Sequence, residues 1–227
     1  GEGLGNQFLG NIRETDAIIH VLRCFDNDNI VHVDGSVNPV RDKEIIDIEL
    51  QLKDLETIEN RIKRVEKQAR VGGDKQAKLE YDVLMQYKEA LEAGKSARTV
   101  VFETEDEQNV AKNLFLLTSK PVLYVCNVDD TSAANGNKYV DAVREAIKEE
   151  NAELLIISAQ TEADIAELES YEEKQMFLED MGIGESGLDR LVTLGYKLLG
   201  LISYLTAGPQ EVRAWTIENG TKAPQAA

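Results

Sequence analysis

The feature that most restricts the fold of this chain is a long apolar stripe that begins just after Asp42. Ile45, Ile48, Leu52, Leu55, Ile58, Ile62, Val65 and Ala69 recur at steps of three and four, with charged residues between them. That period belongs to an amphipathic helix with a near-heptad seam, and such a seam has to be buried. Gly72-Gly73 interrupts it, and Asp74 is placed to cap a second helix with Ala77, Leu84, Tyr87 and Leu91 on one face, ending near Gly94. Two long helices joined by Gly-Gly bury their stripes against each other, so an antiparallel helical hairpin is expected. Thr104 followed by Glu107 is a capping box, opening a further helix through about Leu117.

On both sides of the hairpin the period changes. Ala17–Phe25 (AIIHVLRCF), Pro121–Cys126 (PVLYVC) and Leu154–Ser158 (LLIIS) are apolar runs of strand length. Between and around them, Gly1–Gly5 is a glycine-rich loop and Asn6–Glu14 a short helix. Ile30–Arg41 has no clear period, and Pro39 cannot lie in a helix interior. Asn137–Asn151 is an acidic amphipathic helix, Thr161 to about Met181 a helical stretch, and Leu188–Leu205 a strongly apolar helix. Strands that are apolar throughout and alternate with helices predict an α/β fold with a parallel sheet covered on both faces. The hairpin is then an insertion between two of its strands. After the Gly208-Pro209 breaker, Glu211–Ile217 (EVRAWTI) alternates as a half-buried strand with no evident partner. A lone strand is not a stable domain, so a C-terminal domain is expected to continue beyond this sequence.

Charge narrows the function. With 25 Lys and Arg against 42 Asp and Glu, the formal charge is −17, which opposes nonspecific nucleic-acid binding by the whole surface. Arg61 to Lys78 is the exception, with seven cations against two acids at the expected hairpin tip. A charge run on a helix is commonly a solvated face, yet Lys63, Arg64, Lys67, Arg70 and Lys75 also suit contact with RNA phosphates. Glu162–Asp180 is the opposite, with eight acids against Lys174. Cys24 and Cys126 lie inside apolar runs, which fits free thiols in a reducing cytoplasm. No CxxC or His/Cys cluster indicates a metal, and no apolar run is long enough to span a bilayer.

Ligands of open parallel sheets sit outside the carboxyl ends of the strands. Three such ends are polar: Phe25-Asp26, Asn127-Val128-Asp129-Asp130 and Ser158-Ala159-Gln160. An amide donates and accepts while a carboxylate only accepts, so Asn127 and Asp130 suit the edge of a planar base. An Asx turn that merely caps the next element is the plainer alternative. Phe25 alone reads as a core aromatic at a strand end, and His20 as a core histidine. The order of a glycine loop, Asn-x-x-Asp and Ser-Ala is that of the later motifs in P-loop GTPases, although GxxxxGK[ST] does not occur in this sequence.

Longer blocks are more specific. GEGLGNQFLGNIRETDAIIHVLRCF (Gly1–Phe25) resembles the stretch after switch II in Obg-related GTPases, and DGSVNPVRDKEIIDIELQLKDLETIENRI (Asp34–Ile62) resembles the YchF or Obg-like ATPase branch. LTAGPQEVRAWTIENGTKAPQAA (Leu205–Ala227) is similar to the start of that family's TGS domain. The resemblance covers essentially the whole sequence. It implies a partial P-loop GTPase-like domain (residues 1–41 and 119–206), a helical coiled-coil insertion (42–118) and the beginning of a TGS domain (207–227). It further implies binding and hydrolysis of ATP, or GTP, with Mg²⁺, and association with the ribosome. An RNA or ribosome adaptor acting through the basic tip, with hydrolysis secondary, is the alternative. Carried over residue by residue, Asn127, Val128, Asp130, Ser158 and Ala159 match the base-recognition loops, with Val128 an apolar wall where GTPases have Lys. Phe25 matches an aromatic position against adenine. Asp130 departs from the Glu usual in the family and weakens the choice of ATP over GTP. The resemblance assigns no catalytic residue within this sequence, and the stretch alone is expected to be inactive and to hold no metal.

Overall fold

The computed structural model describes residues 2–32, 35–71, 74–150 and 152–226, with side chains between Gln7 and Gln225. Its contacts divide the chain into two units, Gly1–Ile18 with Val40–Pro121 and Ile19–Pro39 with Val122–Ala227. The expected hairpin dominates the first unit. Helix α1 (Glu2–Arg13) precedes strand β1 (Ile18–Arg23), and the long helix α2 spans Pro39–Val71. Pro39 is the first residue of α2, where its missing N–H removes nothing from the helix. Helix α3 (Lys75–Glu92) starts behind Asp74, whose side chain accepts the Ala77 N–H. Gly72-Gly73 lies outside the described residues. Arg61 pairs with Glu80, and Lys88 with Glu59 at 3.3 Å, as antiparallel neighbours do.

Ile58, Val65, Val83, Leu84, Tyr87 and Leu91 are buried in one cluster with Ala97, Phe102, Val110 and Leu116. The seam is narrower than its sequence period. Ile45, Ile48 and Leu52 are exposed, because α3 ends at Glu92 and the core begins only near Asp54. Two other expectations are corrected in this unit. Helix α1 starts at Glu2, so Gly3 and Gly5 are helical rather than part of a glycine loop; Gly1 is not described. Helical glycine costs about 1 kcal/mol per residue, and the half-buried Leu9 and Ile12 help to offset that cost. Helix α4 (Glu105–Lys112) has the expected capping box but ends five residues early, in a turn where Phe115 takes a left-handed φ of 49°.

Asp54 explains that turn. Its fully buried carboxylate accepts the Leu117 N–H at 2.8 Å, the Thr118 N–H at 2.7 Å and the Thr118 hydroxyl at 2.8 Å. Thr118 Oγ1 in turn accepts the Ala97 N–H at 2.9 Å. Arg13 spans the same place, donating to Phe115 O at 3.0 Å and Thr57 Oγ1 at 3.1 Å. Three bonds to one carboxylate thus fix Leu117 and Thr118, whose backbone donors no ladder satisfies.

The second unit is the sheet. Strand β2 (Val122–Asn127) is buried along nearly its whole length and lies between β1 and strand β3 (Glu153–Ile157). β2 and β3 run parallel, with Leu123 opposite Glu153 and Asn127 opposite Ile157. β1 follows β2 in the same direction, since Ile18 N–H donates to Pro121 O and Cys24 N–H to Asn127 O. Leu123, Val125 and Leu155 pack with Leu191, Leu194 and Leu198 of helix α8 (Gly187–Leu198), while Tyr124 on the other face donates to Glu150 beyond helix α5 (Lys138–Ala146). β1 departs from the expected double burial, because Ile19 and Val21 are exposed.

Three further boundaries move. The helical stretch after Thr161 is two helices, α6 (Ala159–Glu167) and α7 (Tyr171–Asp180), because Ser170 and Glu173 form a capping box that restarts the helix. The apolar helix expected to reach Leu205 is α8 (Gly187–Leu198), stopped at Gly200 with φ 63°. Strand β4 (Leu201–Ala207) comes next, rich in the β-branched and aromatic residues that favour a strand. It pairs antiparallel with β5 (Val212–Glu218), from Leu201 opposite Glu218 to Ala207 opposite Val212. The strand expected to be alone therefore has a partner, concealed by reading β4 as helix.

Burial pushes the Asp54 carboxyl above its ordinary pKa, outweighing the downward pull of the Thr118 and Leu117 donors and of Arg13. With the folded pKa raised, its contribution to stability is fullest below the unfolded carboxylate value and is lost as pH rises through the folded one. Asp54→Asn should destabilise the chain by about 1–3 kcal/mol, because one backbone N–H would then face an amide donor. Urea unfolding at pH 4 and pH 7 checks both points. The gap between wild type and variant should be larger at pH 4, and equal stability at both values would mean that the carboxylate is dispensable.

Candidate functional site

The parallel registers bring the carboxyl ends of β1, β2 and β3 to one edge of the sheet. Asn127 O accepts the Cys24 N–H at 2.7 Å, so Phe25 leaves β1 beside the end of β2. Val128 N–H donates to Ile157 O at 2.9 Å, so Ser158 leaves β3 on the other side. Phe25, Asn127, Asp130, Ser158 and Ala159 therefore share this edge, as the strand-end reading expects.

Their side chains are organised from β2 outward. Asn127 Oδ1 accepts the Ala159 N–H at 3.0 Å, which leaves its Nδ2 donors without a partner among the described residues. Asp130 Oδ1 accepts the Ser158 hydroxyl at 2.6 Å and the Thr161 hydroxyl at 2.9 Å. Ser158 Oγ also caps α6 by accepting the Thr161 N–H at 3.2 Å. Two side chains of the β2 loop thus clasp the turn after β3. The Asx-turn alternative is realised one residue from Asp130: Asp129 accepts the Ser132 N–H at 2.9 Å and the Thr131 hydroxyl at 2.5 Å. The Thr131 bond is the main cause holding the Asp129 carboxyl below its ordinary pKa.

Val128, the residue expected as an apolar wall, is 3% exposed, and its N–H continues the ladder to β3. Phe25 is half-buried, with the Arg23 guanidinium 5.0 Å from its ring centroid. Arg23 donates to Phe25 O at 3.2 Å, Asn27 O at 3.2 Å and Ile30 O at 3.0 Å, ordering the loop beyond the ring. Asn137 adds a second tie: Nδ2 donates to Cys24 O at 2.8 Å, and Oδ1 accepts the Tyr139 and Val140 N–H groups at the start of α5. Tyr139 reaches Asp26 at 2.7 Å. Of these supporting residues, Asn137 carried a sequence signal, an Asn three positions before the first buried valine of a helix. Arg23, Tyr139 and Thr161 carried none, since their partners are distant in sequence or lack a motif.

Among the described residues no group of three or more His, Cys, Asp and Glu is placed to hold a metal ion. In the first unit Lys63, Arg64, Lys67, Arg70 and Lys75 are all exposed at the hairpin tip. Lys63, Arg64, Lys67 and Lys75 have no ion-pair partner among the described residues, whereas Arg70 is held by Glu66 at 2.8 Å. Lys63, Lys67 and Arg70 follow one helical stripe.

The architecture defines an α/β protein in which a helical hairpin is inserted between two neighbouring parallel strands. A solved structure of the Schizosaccharomyces pombe YchF GTPase has the same fold, with a TM-score of 0.87 and 34% identity over 100% of this chain and 61% of that one. A Bacillus subtilis (strain 168) relative named Ribosome-binding ATPase YchF is 55% identical over 229 residues, covering 100% of this chain and 62% of the relative. An Escherichia coli O157:H7 relative of the same name is 50% identical over 227 residues, covering 100% and 61%. The chain belongs to the YchF / Obg-like ATPase family, and it spans about three fifths of the length of these relatives. The YchF-GTPase_C family model, described as a protein of unknown function (DUF933), matches residues 201–227, which include the β4–β5 hairpin. Among the described residues no helix is long and apolar enough to cross a membrane.

Asn137→Ala removes a helix cap and the tie to Cys24 together. Thermal or urea unfolding should show a loss of about 1–2 kcal/mol, and a loss below a few tenths would mean that α5 does not hold the β1 end.

Proposed function

We propose that the whole protein is a nucleotide-dependent ATPase acting on the ribosome, and that its purine is held at the carboxyl edge of β1, β2 and β3. The observation that carries this reading is the convergence of Phe25, Asn127 and the Ser158–Thr161 turn at that one edge. Relatives named as ribosome-binding ATPases support the same class. The Asn127 Nδ2 donors face a base acceptor, Phe25 offers an apolar ring face, and Asp130 Oδ2 accepts from an amino group. ATP is the proposed nucleotide, accompanied by Mg²⁺. Hydrolysis is attack of water on the γ-phosphorus, which depends on positioning and on charge stabilisation around the phosphates. No GxxxxGK[ST] segment occurs in this sequence, so this stretch alone is expected to hydrolyse nothing. The β4–β5 hairpin is read as the opening of a TGS domain, and the cytoplasm as the protein's compartment.

Asn127→Ala in the full-length protein tests the base site. Loss of its hydrogen bonds should weaken ATP binding about tenfold or more, measured by titration calorimetry, with the fold intact by circular dichroism. Unchanged affinity would remove Asn127 from base recognition.

The exposed cations at the tip favour a second reading, in which the hairpin contacts ribosomal RNA. Lys63, Arg64 and Lys67 supply charge that no ion pair among the described residues neutralises, and phosphate contact is where such charge gains most. Reversing Lys63, Arg64, Lys67 and Arg70 to Glu should abolish co-sedimentation of the full-length protein with ribosomes while leaving hydrolysis intact. Undiminished co-sedimentation would make the tip a solvated face.

A further inference from the structure

Asp130 occupies the last position of the Asn127-Val128-Asp129-Asp130 loop, and its two oxygens are not equivalent. Oδ1 accepts two hydroxyls, from Ser158 at 2.6 Å and Thr161 at 2.9 Å. Oδ2 accepts no hydrogen bond from the described residues. Thr161 is 2% exposed, and its N–H is already given to Ser158 Oγ. Ser158 Oγ passes its own proton to Asp130. The three residues close a ring of hydrogen bonds in which the Thr161 hydroxyl is the second donor on Oδ1.

We infer that Thr161 is a positioning residue that sets purine selectivity by occupying one oxygen of Asp130. The inference rests on the base-site reading above. A carboxylate receives guanine best when its two oxygens accept the neighbouring N1–H and N2–H donors together. With Oδ1 holding two hydroxyls, Oδ2 alone remains, and one acceptor suits a single amino group such as adenine N6. Asp130 would then behave differently from an unrestrained aspartate at this position. Desolvated donors left without an acceptor weigh heavily against a ligand, so guanine bears the penalty and adenine does not. A Thr161 that merely supported the helix start would affect both purines alike.

Thr161→Val keeps the shape and the backbone bond but removes the hydroxyl donor; Thr161→Ser keeps the donor. In the full-length protein, ATP and GTP affinities are to be measured by calorimetry for wild type, T161V, T161S and N127A. Wild type and T161S should share one preference for ATP, and T161V should lose about tenfold of it through tighter GTP binding. An unchanged ratio in T161V, or an equal loss for both nucleotides, overturns the inference, provided N127A still weakens both nucleotides. A wild type that prefers GTP overturns it as well. If N127A binds both nucleotides normally, the base-site reading fails and takes this inference with it.

Discussion

The bond from the Ala159 N–H to Asn127 Oδ1 is the interaction on which the candidate site depends. A parallel ladder fixes where strands end, but it leaves the loops beyond them free to diverge. Here the last residue of the central strand reaches across and fixes the first turn of α6, while Asp130 holds the same turn through Ser158 and Thr161. Among the described residues, the polar atoms of Asn127 and Asp130 that these internal bonds leave over are the Nδ2 donors of Asn127 and Oδ2 of Asp130. The site is therefore preorganised by its own polar groups, and a ligand would not have to order them.

The hairpin shows the same economy with different chemistry. Its core is apolar and local, but the turn after α4 has no ladder to satisfy its N–H groups. Asp54 supplies the missing acceptors from the middle of α2. A buried carboxylate is an expensive acceptor. It persists because three donors converge on it, and burial still outweighs them enough to raise its pKa. Phe115 tolerates a left-handed backbone in the same place because Arg13 and Asp54 hold the residues at and after it.

What the sequence made legible was whatever a period or a cap encodes. The hairpin, the Asp74 cap, the Thr104 capping box and the three parallel strands are all local patterns, and the structure contains them. The strand-end rule also placed Phe25, Asn127 and Ser158 at one edge. Two kinds of feature escaped it. Short apolar runs are ambiguous in period, so the helical pattern of α8 runs on into β4, and only the left-handed conformation of Gly200 separates them. Contacts between distant residues leave no local trace. Nothing near Thr161 announces Asp130, nothing near Asp54 announces Thr118, and nothing near Val128 announces its burial.

Net charge alone is an average, and the structure shows how the cations behind it are partnered. Beyond a Debye length of about 8 Å at physiological salt, exposed charges scarcely act on one another. The net charge of the whole chain is therefore no guide to the potential around a residue such as Lys67. What matters is whether a cation is neutralised on the spot. Arg61 and Lys78 are, by Glu80 and Asp82, and Arg70 is by Glu66. Among the described residues Lys63, Arg64, Lys67 and Lys75 have no such partner, so of the seven cations at the tip these four supply its unneutralised charge. Binding energy from such groups comes from the counterions that leave a nucleic acid when cationic side chains neutralise its phosphates. Only unpaired cations contribute it in full, and the distribution of partners therefore says more about a polyanion than the sum of the charges does.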